Sequence, residues 1–245
     1  AFIERDYRNQ SVVFFISGNR NSFFVNLLLF LLGNLGDSHY LRMILPKEMD
    51  ASELEKKVSR RDTIISVCVF LSGFSCFAQL YYFQPLLPDL ARDFHLTASD
   101  SSLAVSFSTL GMVFGLITTM FIADRISRKQ LISVGLLASS VFSVAASFAP
   151  FFGLLILLSA AKGYLLSGAT SVSMAYIAEE VSERNKGKIM ALYIAGNALG
   201  GMSGRFISSW IGAIWSWRIA SVSIGLICAF FALLFLIFSP RSTHF

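Results

Sequence analysis

Apolar residues run in long blocks along this chain, and the polar residues between them come in short charged groups. Six blocks stand out, at residues 64–87, 103–123, 131–148, 152–178, 189–211 and 219–238. A helix needs about 20 apolar residues to cross the roughly 30 Å of bilayer hydrocarbon, and each block meets that length. The gaps between blocks are short, so successive helices are expected to be antiparallel neighbours in a bundle. The pattern predicts an all-α membrane protein with six transmembrane helices.

The N-terminal part reads differently. The stretch FFVNLLLFLLG at 23–33 is apolar but too short to span, and it carries Asn26. No small-residue cleavage pattern follows it, as a secretory signal would require. Residues 1–59 are therefore an N-terminal extension, and residues 60–245 the six-helix bundle. Two readings of residues 1–42 stand: they lie upstream of a natural start at Met43 or Met49 and have no native fold, or they form an interfacial helix. The first is preferred. The charged stretch before the first span is expected on the cytoplasmic side.

Composition supports the bilayer. Of 245 residues, 55% are hydrophobic and 14% charged, and the mean hydropathy is +0.65. A soluble domain carries about 25% charged residues. The net charge of +5 would suggest nucleic acid in a soluble protein. Here the bases sit between apolar blocks, which makes the partner a lipid bilayer and no nucleic acid. Lys47, Lys56, Lys57, Arg60 and Arg61 precede the first span. Arg125, Arg128 and Lys129 fill the second gap, Arg184, Lys186 and Lys188 the fourth, and Arg241 follows the sixth span. The odd-numbered gaps hold only Arg92 and Arg218. By the positive-inside rule, the N-terminus, the even gaps and the C-terminus face the cytoplasm. Cys68, Cys76 and Cys228 lie inside apolar blocks, without metal-site spacing. His39, His95 and His244 lie outside every span, and no metalloprotease or nucleophile-elbow motif is present. No enzyme, cofactor or metal site is expected.

The second gap, A-D-R-I-S-R-K, has more order than topology requires. It resembles the loop between helices 2 and 3 of the major facilitator superfamily, G-x-L-A-D-R-x-G-R-K. Asp124, Arg125, Arg128 and Lys129 match, while Met120 and Ser127 stand where that motif has glycine. YYFQPLLPDL at 81–90 resembles the end of helix 1 in bacterial drug-efflux-like members, with Pro85 and Pro88 placed to kink or end the helix. AGNALGGMSGRF at 195–206 resembles the glycine-rich fifth helix of the antiporter branch. In the fourth-helix stretch, Ser159 stands where the family has an arginine linked to proton coupling.

The resemblance covers residues 60–245, the N-terminal six helices of a usual twelve. In such proteins the solute site lies between the two halves near the bilayer midplane. The resemblance implies transport of a small solute by alternating access, as a proton-coupled exporter of small organic compounds or drugs in the bacterial inner membrane. It also implies a C-terminal half, or a second copy, as partner. The chain reads as a fragment, a truncated product or a degenerate copy, inactive alone. The alternative is a non-transporting structural half-protein that pairs with another six-helix unit.

Candidate residues follow. Asp124, Arg125, Arg128 and Lys129 form a gating loop, with Glu179, Glu180 and Glu183 at the end of the fourth helix as partners; solvated topogenic charge is the plain alternative. Gly196, Gly200 and Gly204 recur every four residues and, with Gly201, allow close helix packing. On the resemblance, that glycine face slides against a helix of the other half. Gln79, Tyr82, Gln84, Lys162 and Asn197 are polar residues within spans and candidates for a solute path. Lys162 either serves solute or coupling, or snorkels to the outer surface. Arg205 is expected beside an acid or a carbonyl, and Trp210, Trp215 and Trp217 in the interfacial belt.

Overall fold

A computed structural model describes residues 51–123 and 125–240, with side chains from Arg60 onward. The described residues from Ser52 on fall in one unit, Ser52–Phe245. The N-terminal extension before residue 51 lies outside the described residues.

The architecture of the described residues is all-α, with six long helices. α1 spans Ala51–Tyr81, and a 3-10 turn at Gln84–Leu86 leads into α2, Leu87–Asp93. The first apolar block is thus broken rather than continuous to residue 87. Pro85 and Pro88 are the second residues of the two short segments that follow, in the first turn, where a missing N–H is harmless, whereas inside α1 it would have removed a helix bond. The short α3, Ala98–Ser101, is capped by Thr97, whose hydroxyl accepts from the Asp100 amide at 3.1 Å. The remaining long helices are α4 (Leu103–Ile122), α5 (Arg128–Ser147), α6 (Phe152–Glu180), α7 (Lys186–Ile214) and α8 (Trp217–Phe238). Ser127 and Ser216 cap α5 and α8 by accepting from amides three residues on.

Among the described residues, five helical stretches are long and apolar enough to cross a membrane: 60–93, 98–122, 128–147, 152–180 and 217–238. The sixth expected span, α7, has the length but not the hydropathy. Its glycines, Asn197 and Arg205 dilute the apolar character, and the same glycines are what pack it into the bundle. A Cβ on Gly196 or Gly204 would fall 2.6 or 2.7 Å from the carbonyl oxygens of Phe70 and Ala78 in α1, and one on Gly200 would collide with the Phe74 carbonyl. The two helices therefore touch backbone to backbone over about two turns. α4 and α6 meet in the same way, with Gly111 against Ala160 and Gly163 against Ser108.

Two buried apolar clusters divide the bundle along its length. One contains Ile65, Val69, Ile132, Leu136, Tyr176, Ile189 and Phe235; the other contains Tyr82, Phe83, Leu86, Leu155, Trp217 and Ile224. Between them lies a buried polar layer that includes Ser75, Gln79, Ser139, Ser140, Ser143, Ser159 and Lys162.

Candidate functional site

The end of the bundle that carries Arg61, Arg128 and Lys129 is tied together by charge. Arg128 opens α5 and uses its guanidinium twice. Nη1 donates to the Ala123 carbonyl at the C-terminus of α4 at 2.8 Å, and Nη2 meets Glu179 near the end of α6 at 3.2 Å. The last carbonyls of a helix lack internal partners and carry partial negative charge, so a base is favourable there. Lys129 donates to the carbonyl of Ser239, the residue that caps α8. Arg61 of α1 pairs with Glu180, whose side chain is fully buried. The Tyr176 hydroxyl donates to the Pro240 carbonyl at 3.2 Å and lies 2.8 Å from Ser239 Oγ.

Not every expected member joins this network. Asp124 lies outside the described residues. The Arg125 side chain is exposed. Glu183 sits in the turn beyond α6 and pairs with Lys186 at 2.6 Å on the surface.

The sequence reading missed an acid. Asp62 is 1% exposed, and its Oδ2 accepts from Ser182 Oγ at 2.5 Å and Asn185 Nδ2 at 2.7 Å. Asn185 is the residue on which α7 starts, so α1 holds the first turn of α7 by a buried carboxylate. The signal was present: Asp62, Ile65 and Val69 share one face at helical spacing, and both apolar residues are core.

In the polar layer, Gln79 donates to Ser140 Oγ at 3.2 Å and accepts from Ser143 Oγ at 3.1 Å, joining α1 to α5. The Tyr82 hydroxyl accepts from Ser221 of α8 at 3.4 Å, and its ring stacks on Phe83 at 4.2 Å. Lys162 does not snorkel. It is 1% exposed, with Nζ 4.4 Å from the Tyr82 ring centroid and 4.8 Å from that of Phe83, and Nζ has no hydrogen-bond partner. Gln79, Tyr82 and Lys162 are therefore interior to the bundle. Gln84, in the 3-10 turn, and Asn197, beside Gly73, are half-buried.

The face of Gly196, Gly200 and Gly204 is occupied by α1, not free for another half; Gly201 abuts the Tyr81 ring. Among the described residues Arg205 meets neither acid nor carbonyl: its guanidinium lies over the Tyr81 ring at 4.6 Å. Trp210 and Trp215 are exposed, but Trp217 is buried against Phe94, with its indole N–H donating to Asp93 at 3.0 Å. Arg218 repeats at this opposite end what Arg128 does at the first. It donates to the Ser147 carbonyl at the end of α5 at 2.8 Å and pairs with Asp93 at 3.1 Å. Cys68, Cys76 and Cys228 are buried and free. Among the described residues, no three His, Cys, Asp or Glu side chains gather as a metal site would need.

Long apolar helices, ends fastened by charged pairs, and a polar layer sealed inside define a polytopic membrane protein. Residues 68–244 match the Major Facilitator Superfamily, and the chain belongs to that family. It is 38% identical over 192 residues to an uncharacterized transporter of Buchnera aphidicola subsp. Schizaphis graminum, covering 78% of this chain and 46% of the relative. It is 36% identical over 181 residues to the inner membrane transport protein YnfM of Escherichia coli K12, covering 74% and 43%. An uncharacterized MFS-type transporter of Bacillus subtilis, YybF, is 35% identical over 181 residues, covering 74% and 45%. The chain thus spans about half the length of the curated relatives it matches.

Proposed function

We propose that this chain supplies one six-helix half of an alternating-access transporter that moves a small organic solute, as a proton-coupled exporter in a bacterial inner membrane. Both termini and the basic end of the bundle face the cytoplasm. A second six-helix unit completes the solute path. The observation that carries the reading is Arg128, which bridges the end of α4 to Glu179 of α6. Few and partly exposed ion pairs at one end make a two-state element, closed when paired and open when parted. Arg61–Glu180 and Lys129–Ser239 add two further ties at the same end. Gln84 and Asn197 are the candidate path residues with accessible surface. Gln79, Tyr82 and Lys162 reach a solute only when the helices separate.

The test uses a transporter that contains both halves. Asp124→Asn and Arg128→Gln should each slow transport while leaving membrane insertion intact, because the remaining bases suffice for topology. Wild-type rates in Arg128→Gln would remove the gating role. The 245-residue chain alone, purified into vesicles, should not transport, and measured flux there would overturn the two-unit reading.

A further inference from the structure

A narrow groove runs along the bundle between α1 and α8. Ile64, Val67, Cys68 and Leu71 form one wall, Leu234 and Phe238 the other, and the volume is about 300 Å³. Its surface is apolar throughout. Three residues beyond Leu71, and three before Leu234, Phe74 and Phe231 meet edge to face at 5.7 Å and close the groove. From Thr63, where the lining begins, to Leu71 is about 12 Å of helix. A leaflet holds half of the roughly 30 Å hydrocarbon core, so the groove starts at the basic end and stops near the midplane. Spread over that length, the volume leaves a cross-section of about 25 Å², far below that of a helix about 10 Å across. A single alkyl chain is slender enough to enter.

The mouth of the groove is basic. Arg60 lies one turn before Ile64 and two turns before Val67, on the same line of α1. Its side chain is exposed, and among the described residues it joins no hydrogen bond or ion pair. Lys129 reaches the other wall, donating to the carbonyl of Ser239, which follows Phe238. The acids nearby are engaged elsewhere: Glu180 with Arg61, Glu179 with Arg128, and Asp62 with Ser182 and Asn185. A groove at the opposite end, lined by Phe148 and Arg218 among others, differs in this respect. Its base is already held by Asp93 and by the Ser147 and Ala149 carbonyls.

We infer that the groove between α1 and α8 is a binding site for an anionic phospholipid, one acyl chain lying in the slot and the phosphate group meeting Arg60 and Lys129 at its mouth. The slot supplies depth for a chain but no polar atom, so it does not distinguish one lipid from another. The bases supply that distinction, because a basic recess between membrane helices favours a negatively charged head group. A phosphate without a chain would leave the slot unfilled and gain only an exposed, screened contact. The site lies within this chain and needs neither a second six-helix unit nor flux, so it stands apart from the transport reading.

Native mass spectrometry of the full chain in a maltoside detergent counts bound lipid as phosphatidylglycerol or phosphatidylcholine, with the same acyl chains, is titrated in. Wild type should take its first phosphatidylglycerol at least about fivefold more tightly than its first phosphatidylcholine, the worth of one base near a membrane surface. Arg60→Gln should lose about fivefold in affinity for phosphatidylglycerol and leave phosphatidylcholine unchanged. Val67→Trp, at an exposed position, fills the slot and should abolish the first site for both lipids. Arg60→Gln changes only an exposed side chain, which keeps the site testable if the larger residue at 67 disturbs folding. Inorganic phosphate should not displace the lipid. Equal affinity for the two lipids in wild type, an unchanged preference in Arg60→Gln, wild-type binding in folded Val67→Trp, or displacement by phosphate overturns the site.

Discussion

Asp62 and Asn185, 123 residues apart in the chain, meet at 2.7 Å in the interior of the basic end. The contact fixes the start of α7 on the side of α1. It also satisfies a carboxylate that would be costly to bury bare. Asp62→Ala should cost about 2–3 kcal/mol, because the Asn185 amide and the Ser182 hydroxyl both lose a charged acceptor. Asp62→Asn retains one acceptor oxygen and should cost about half as much. Reversible unfolding in mixed micelles measures both; equal values would show that the contact contributes nothing specific.

The α1–α7 seam gives an internally controlled test. Gly200→Ala places a methyl on the Phe74 carbonyl, and overpacking of that kind costs about 1–3 kcal/mol. Gly187, in the first turn of the same helix, has nothing within 4 Å of an added Cβ. Gly187→Ala should therefore be neutral or stabilise by up to about 1 kcal/mol through helix propensity. Thermal unfolding of the two variants side by side checks the contrast.

Gln79→Leu removes two hydrogen bonds between α1 and α5. Its cost should be small, about 1 kcal/mol, since interhelical hydrogen bonds in membranes average about 0.6 kcal/mol. Ser140 also donates to the Leu136 carbonyl at 2.8 Å and so is not left bare. A loss as large as that of Asp62→Ala would make the polar layer a principal source of stability.

Lys129→Ala removes the side chain that meets the Ser239 carbonyl at the end of α8. The expected loss is about 0.3–1 kcal/mol, the usual worth of a base at a helix C-terminus. Membrane orientation should not change, because Arg125 and Arg128 remain in the same gap. Accessibility labelling of single cysteines introduced in that gap reads orientation directly.

The long helices were legible because an 18-residue apolar run has few other physical outcomes than burial in lipid. The pairing of Arg128 with Glu179 was legible too, since both lie at helix ends on the same side of six antiparallel rods. What escaped was direction. Nothing in the local pattern says that Gly196, Gly200 and Gly204 turn toward α1, because a small-residue stripe fits any close neighbour. Asp62 was hidden by its company: beside Arg60 and Arg61 it reads as one more solvated charge, and only its register with Ile65 and Val69 marks it as interior. Trp217 looked interfacial by composition, yet Asp93 and Phe94, far back in the chain, draw it inward. Arg218 read as a lone topological base until the end of α5 was seen beneath it.

The glycine seam also bears on how the molecule is made. α1 leaves the ribosome long before α7, and at ordinary rates of translation the interval is on the order of ten seconds. Through that time the surface destined for Gly196, Gly200 and Gly204 has no mate and faces acyl chains or the insertion machinery. Biogenesis must therefore include a waiting period for the first helix. A substitution that spoils the seam is expected to lengthen this exposure, and to show itself as turnover by membrane proteases before it shows in the folded protein.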